Sequence, residues 1–583
     1  MNYGMIFYIL GMASGFEALF LLLPILVSLI YGESVLSSYL ISCGICALFC
    51  GVSTLRKPKK ITLYTKEGLV AVALVWIWFS VFGAVPFMLT GEIPNFFDAF
   101  FEVSSGFTTT GASILTNVEA LSRASLFWRS FTHWVGGMGI LVFILAFIPN
   151  KGNGTIVHLM KAESPGPNVS KLVPKIRYTA AILYAIYFGM TLIQIILLLI
   201  SKMPLFDTLC ITFGTAGTGG FSIKSDGCAG YTMLQQGIIT TFMILFGVNF
   251  TFYFCILKKK IKQVSSMTEV WAYLAIIAAS ILAITFNISG GFLSLFQAFH
   301  HAAFQVGSII TTTGFSTVDF NQWPGFSRTI LVTLMFVGAC AGSTGGGIKV
   351  SRILLLLKGI GREISLALHP RSVKRVRMEG RTVETEVIRS VNAYLALYMI
   401  IFVASVLIVS LDEKDLVTNF TAVAATLNNV GPGLGLVGPA GNFSGFSNLS
   451  KLVLSFDMLA GRLELMQGSS IKRNVDSFKH ICVSAANVRC TKQFPGTAVF
   501  KDSDSSYAVV FIQIFLSCCN IKVPVRCSIE SSPQWKRKLY CCYIGNIKIG
   551  IAGGIIYFPV SFDGQTRTGV FKYYRQFLLF PLF

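Results

Sequence analysis

The sequence predicts an all-α integral membrane protein: two N-terminal helices, then four helix–pore loop–helix repeats around a central pore. Three observations predict it. Of the 583 residues, 54% are hydrophobic and 13% charged, against about a quarter charged in a soluble domain. Several apolar runs, among them 180–200, 233–257 and 270–286, reach the roughly 20 residues that cross a bilayer. Finally, four apolar segments each run into a short Thr/Gly motif. The motifs are Thr108-Thr109-Thr110-Gly111-Ala112-Ser113, Gly217-Thr218-Gly219-Gly220-Phe221-Ser222, Thr311-Thr312-Thr313-Gly314-Phe315-Ser316 and Asn428-Asn429-Val430-Gly431-Pro432-Gly433.

Residues 1–55 hold the N-terminal pair, at 5–30 and 35–52. The first run contains Glu17 and lacks a basic leader and a small-residue cleavage site, so it reads as a retained helix. Repeat 1 (66–150) then has an outer helix at 68–89, a pore helix at 96–107 and a return helix at 126–148. Repeat 2 (175–260) uses 178–200, 205–213 and 233–257. Repeat 3 (266–358) uses 270–286, 293–310 and 328–357. Repeat 4 (385–465) uses 387–411, 416–427 and 449–465, its last helix apparently cut short. The pore helices are too brief to span and read as re-entrant, which needs surrounding protein or water. Asp98 and Asp207 each stand 13 residues before their key glycine, near a helix start where the dipole favours an acid.

The formal charge of +21 does not imply a nucleic-acid partner, because Lys and Arg collect between spans, at 56–60, 151–177, 258–262 and 352–381. Loops around Glu33, Glu92 and Asp226 carry few bases. The positive-inside rule puts the basic loops and the N-terminus in the cytoplasm, and the Thr/Gly loops then approach from outside.

On these loops, on residues 339–349 (ACAGSTGGGIK) and on 457–464 (DMLAGRLE), the chain resembles the Trk/Ktr/HKT superfamily of potassium transporters. It looks closest to the bacterial TrkH type. The two extra N-terminal helices favour that type over the shorter Ktr type. The resemblance covers about residues 1–465 and implies potassium uptake across a bacterial inner membrane. It also implies a homodimer and a cytoplasmic nucleotide-binding regulator of the TrkA type. No cofactor is implied for this chain, and it carries no dinucleotide-binding fingerprint of its own.

A K+ ion entering a membrane must exchange water for protein oxygens, which rings of backbone carbonyls provide. Glycine permits the dihedrals that turn successive carbonyls one way. The expected filter is therefore Thr109, Thr110, Gly111 and Ala112; Thr218, Gly219, Gly220 and Phe221; Thr312, Thr313, Gly314 and Phe315; Asn429, Val430, Gly431 and Pro432. In plant relatives a Ser at the first key glycine accompanies Na+ transport, so Gly111 implies K+ preference. The fourth loop, with Asn-Asn-Val for Thr-Thr-Thr, implies an asymmetric filter. A Na+-coupled or Na+-permeable transporter of the same fold is the alternative.

Four glycines in 342–347 would unwind the third return helix, and unwound backbone at that depth needs a cavity to line. By resemblance, Gly342, Gly345, Gly346 and Gly347 form an intramembrane gate. Arg462, a charge inside an apolar helix, suggests function by default. It is expected to face the pore and bond the carbonyls of that loop. Lys349 reads as a snorkelling residue at the cytoplasmic edge.

An enzyme is disfavoured. His133, Glu102 and His300 do not form a cluster at helical spacing, and His300-His301 cannot share a face. His133 reads as structural. Glu102 and Gln305 share an offset, nine residues before their glycines, which suggests that Glu102 braces the first loop. Residues 466–583 are basic and hold seven of the 14 cysteines. They show no pattern of a second domain, and they read as a poorly ordered extension or as a stretch translated after an insertion or frame change.

Overall fold

The N-terminal helix runs Tyr3–Tyr31. It starts where the Asn2 side chain accepts from the Met5 amide and stops at Gly32, whose φ of 67° closes a left-handed cap. Its partner, Leu36–Leu55, lies antiparallel to it. The pair is tied to the rest by Trp78 Nε1 donating to Ser14 Oγ (2.7 Å) and by Tyr39 Oη against Ser125 Oγ (2.9 Å).

In this computed structural model, the described residues are 2–55, 65–137, 139, 176–370, 372 and 374–463. The backbone is also described at 525–530, 539–544, 547–552, 555–562 and 565–572. The chain divides into two compact units, Met1–Arg473 and Asn474–Phe583.

In the first unit the outer helices are Thr65–Thr90, Ile176–Ile200, Thr268–Ile288 and Thr385–Val409. Among the described residues, six helices are long and apolar enough to cross a membrane. Leu48, Ile196, Phe286, Ile400 and Leu407 on them are 55–70% exposed, an apolar surface that suits lipid and would be unfavourable in water. The interior carries the polarity: Glu102, Arg129, His133, Glu269, Lys349 and Asp457 are all buried.

The pore helices are Phe96–Phe107, Leu205–Gly217, Leu295–Ile310 and Leu416–Leu427. Asn95, Ser294 and Asp415 cap the first, third and fourth through their side chains, while Pro204 opens the second. Twelve residues rise only about 18 Å, short of the roughly 30 Å apolar core of a bilayer. Asp98 and Asp207 lie in first turns. Asp98 pairs with Lys451 at 2.6 Å, and Asp207 accepts from the Tyr231 hydroxyl at 3.2 Å.

The return helices depart most from the expected ranges. The first is described over Arg123–Gly137, and residues 140–175, with most of the basic stretch 151–177, lie outside the described residues. Its start is capped by Glu33, which accepts from the Arg123 and Ala124 amides, and by Glu92, which accepts from the Ser122 amide. The second is not one helix but two, Met233–Phe246 and Phe250–Leu257, bent by 91°. Gly247 ends the first half, and the Asn249 side chain caps the second by accepting from the Thr251 amide at 2.8 Å. The third is interrupted as its glycines imply, giving Gly325–Val337 and Val350–Leu368. The fourth is Asn448–Arg462, and 464–465 fall outside the described residues. A two-residue hairpin, Arg377–Met378 with Arg381–Thr382, is the unit's β structure among the described residues.

In the second unit the backbone forms a five-stranded antiparallel meander, Val525–Glu530, Leu539–Ile544, Ile547–Ala552, Ile555–Phe562 and Gln565–Lys572. This corrects the expectation of a patternless tail. The missed signal is three dipeptides of hairpin type, Gly545-Asn546, Gly553-Gly554 and Asp563-Gly564, each between β-rich runs.

Candidate functional site

Each pore helix ends the same way. The amides of Thr110, Gly219, Thr313 and Val430 return to the carbonyls of Ser105, Gly214, Ser308 and Ala425, each at 2.8 Å. The preceding amides, of Thr109, Thr218, Thr312 and Asn429, bond Gly106, Thr215, Ile309 and Thr426 at 3.0–3.1 Å. This paired pattern closes a helix with one left-handed residue. That residue is usually Gly, yet here φ is 56° at Thr109, 54° at Thr218, 60° at Thr312 and 55° at Asn429. A β-branched residue there is an outlier costing about 1–3 kcal/mol. The strain recurs at three threonines, and Asn429, a residue that tolerates this region, takes the same shape in the fourth loop, which points to a demanded geometry.

Two residues later φ is positive again, at 79° for Gly111 and Gly220, 85° for Gly314 and 98° for Gly431. These glycines touch the neighbouring loops. A Cβ on Gly111 would lie 2.0 Å from the Gly219 carbonyl oxygen, and one on Gly220 would lie 1.8 Å from that of Thr313. One on Gly314 would lie 2.2 Å from that of Val430, and one on Gly431 would lie 2.6 Å from that of Thr110. Loop 1 meets loop 2, 2 meets 3, 3 meets 4, and 4 meets 1. The carbonyl before each key glycine thus abuts the glycine of an adjacent loop, and the four loops close a ring. On one side of the ring opens a cavity of about 130 Å³, lined by all four glycines.

The predicted residues are all brought to this ring. Ala112, Phe221 and Phe315, which follow the key glycines, are buried, and Pro432 abuts Gly314. The Thr110 and Thr313 hydroxyls pair with those of Thr108 and Thr311 at 2.8 and 2.7 Å. Asn429 Nδ2 donates to Thr110 Oγ1 and to the Met458 carbonyl, both at 2.9 Å, linking loop 4 to loop 1 and to the last helix.

Residues with no place among the sixteen ring residues brace it. Glu102 accepts from Ser113 Oγ and the Ile114 amide, each at 2.9 Å, and pairs with the buried Arg129 at 2.7 Å. Arg129 also lies 4.1 Å from the Phe221 ring centre, so it spans loops 1 and 2. His133 is neutral by its partners. Nδ1–H faces the Gly106 carbonyl (2.7 Å), and Nε2 accepts from the Phe221 amide (3.1 Å). The imidazole is a strut. Gln305, at the Glu102 offset, reaches the Val318 carbonyl alone among the described residues, at 3.5 Å.

Beyond the ring, the 338–349 loop is bonded to its base. The Gly346 amide donates to Thr312 Oγ1 (2.6 Å) and the Gly347 amide to the Asn428 carbonyl (3.0 Å). Gly342 and Gly347 have φ of 73° and 78°. The bend in the second return helix receives this loop: the Gly247 carbonyl accepts from the Cys340 amide (3.1 Å), and the Phe250 amide donates to the Gly342 carbonyl (3.0 Å). Arg462 donates to the Thr344 carbonyl at 2.9 Å, as its position predicts. It also donates to the carbonyls of Gly136 and Gly137, which sequence reasoning missed. Lys349 is 3% exposed and its Nζ donates to the Gly345 carbonyl. It is thus a buried strut of the loop, not a snorkelling residue.

A ring of carbonyls can replace the water of a monovalent cation.

The family model described as TrkH, cation transport protein, matches residues 38–297 and 276–475. The Trk system potassium uptake protein TrkH of Salmonella typhimurium is 35% identical over 76% of this chain and 93% of that protein. The potassium uptake protein TrkG of Escherichia coli is 34% identical over 77% and 93%. The crystal structure of the potassium transporter TrkH from Vibrio parahaemolyticus superposes with a TM-score of 0.72. The identity to it is 32%, covering 80% of this chain and 98% of that one.

Proposed function

The chain belongs to the TrkH family of cation transport proteins, and from that premise we propose that this multi-pass membrane protein takes up K+ through the four-loop ring. The closed circuit of carbonyl-to-glycine contacts carries the reading. It brings one backbone carbonyl from each loop to the same ring, and on our reading these carbonyls take the place of water around a dehydrated K+. Below them the 338–349 loop is the gate. Its amides hold Thr312 and Asn428, and Arg462 locks it to the first return helix. An inside-negative potential favours entry by about 2.3 kcal/mol per charge per 100 mV.

The proposed site is a bacterial inner membrane with the basic loops in the cytoplasm. There the exposed Lys358, Lys374, Arg375 and Arg377 offer an electropositive face to a TrkA-type regulator, and the transporter works as a homodimer.

The test is K+ and Na+ flux into liposomes holding the full chain. K+ flux well above Na+ flux supports the proposal. Equal fluxes would favour the Na+-permeable alternative, which the Asn429-Val430 departure in loop 4 makes specific. Flux that needs an added TrkA-type partner would make the regulator obligatory. No flux with that partner present, from folded protein, would overturn the proposal.

A further inference from the structure

We propose that Glu269 is the positioning residue that pins the backbone on both sides of the 342–347 glycine run, so that the gate moves between two fixed stems. Glu269 is buried in the first turn of the third outer helix. One carboxylate oxygen, Oε1, accepts from the Ala341 amide at 2.7 Å and from the Ser351 amide at 3.1 Å. Ala341 precedes the glycine run, and Ser351 follows it in the first turn of Val350–Leu368. That helix has no cap of its own, because Lys349 stands at the capping position with a φ of 81° and no side-chain cap bond. Glu269 supplies the missing acceptor from a neighbouring helix, at the positive end of the helix dipole.

Between the two pinned amides lie Gly342, Gly345, Gly346 and Gly347, the most pliable backbone in the segment. Their holds on the ring, through Thr312 and Asn428, are single hydrogen bonds that can be broken and remade. With the carboxylate gone, two buried amides lose their acceptor, which is costly in the closed arrangement. Displacing the loop into a water-filled pore would satisfy them, so the loss favours opening. The inference rests on reading 338–349 as the gate.

The test uses the full chain in liposomes, with flux per folded protein for Glu269→Ala, Glu269→Gln, Glu269→Asp and Arg462→Ala. Glu269→Ala is expected to raise basal K+ flux about tenfold, the equivalent of ~1.4 kcal/mol, with the K+/Na+ ratio unchanged. Glu269→Gln keeps a carbonyl acceptor and should stay near the native flux. Glu269→Asp, one methylene shorter, should fall between. A general loss of packing would not spare the Gln variant, nor would it leave the ratio intact. If Glu269→Ala does not reconstitute, Glu269→Asp carries the test, with raised flux supporting the clamp and native flux overturning it. Raised flux in Arg462→Ala with native flux in Glu269→Ala overturns the clamp and leaves the gate standing. Equal rises in the Ala and Gln variants also overturn it, since the acceptor would then not matter. No rise in either Glu269→Ala or Arg462→Ala overturns clamp and gate together.

Discussion

Loops 1 and 3 each close on a pair of their own Thr hydroxyls, whereas loops 2 and 4 lack that pair and draw on residues elsewhere in its place. In loops 1 and 3 a Thr hydroxyl at the end of the pore helix, Thr108 or Thr311, bonds back into the helix at 2.6 Å. It also pairs with the Thr before the key glycine. Loop 2 has Gly217 and Gly219 at those two positions, so the His133 ring fills the space. A Cβ on Gly219 would lie 2.2 Å from that ring. Loop 4 has Asn428 and Val430 there. Asn428 is fixed by its own helix and by the Tyr398 hydroxyl, and Asn429 reaches across to Thr110. One backbone shape is reached by two kinds of support, so the ring can be fourfold in geometry while its sequence is not.

That contrast can be broken at graded strength. The largest effect belongs to the feature all loops share. Gly220→Ala puts a methyl 1.8 Å from the Thr313 carbonyl oxygen at a φ of 79°. It should cut K+ flux by ~10–100-fold, the equivalent of overpacking by about 1–3 kcal/mol, measured in reconstituted liposomes. His133→Ala comes next. It strips loop 2 of its strut and leaves the Phe221 amide and Gly106 carbonyl without that partner. The expected cost is about 1–2 kcal/mol, seen as a K+/Na+ ratio lowered roughly tenfold. Thr311→Val removes one hydroxyl from self-braced loop 3. A loss of about 1 kcal/mol should lower the ratio only a few-fold. A Thr311→Val effect equal to that of His133→Ala would erase the distinction. The smallest is Tyr398→Phe, which deletes one 3.0 Å bond to Asn428. It should lower stability by about 1 kcal/mol, read as a modest fall in thermal midpoint, and change the ratio less than about twofold.

What the sequence made legible was local. The pore helices at 96–107 and 416–427 start at capping Asn95 and Asp415 and stop at a Thr or Asn run. Both signals are carried by adjacent residues. The break in the third return helix is likewise announced by its glycines. The break in the second was hidden, because Gly247 and Asn249 sit in an apolar run whose hydropathy outweighs two polar or small residues. Their purpose appears only when the 338–349 loop, about 90 residues on in sequence, docks against them. Long-range partners were illegible for the same reason. Arg462 was expected to meet the loop, but its bonds to Gly136 and Gly137 join residues more than 300 positions apart. Lys349 looked like an edge residue because a basic stretch follows it in the sequence, while the folded loop buries it. The strands beyond residue 525 were signalled by hairpin dipeptides that went unread among the charges.

The claim that the ring sets ion selectivity is tested most directly by the K+/Na+ flux ratio of Gly314→Ser beside the native full chain in liposomes. A Cβ there meets the Val430 carbonyl oxygen at 2.2 Å, and the backbone sits at a φ of 85°. If the ring selects the ion, the ratio falls sharply while Na+ flux persists or rises. A folded Gly314→Ser protein with an unchanged ratio would contradict it and place selection elsewhere in the chain.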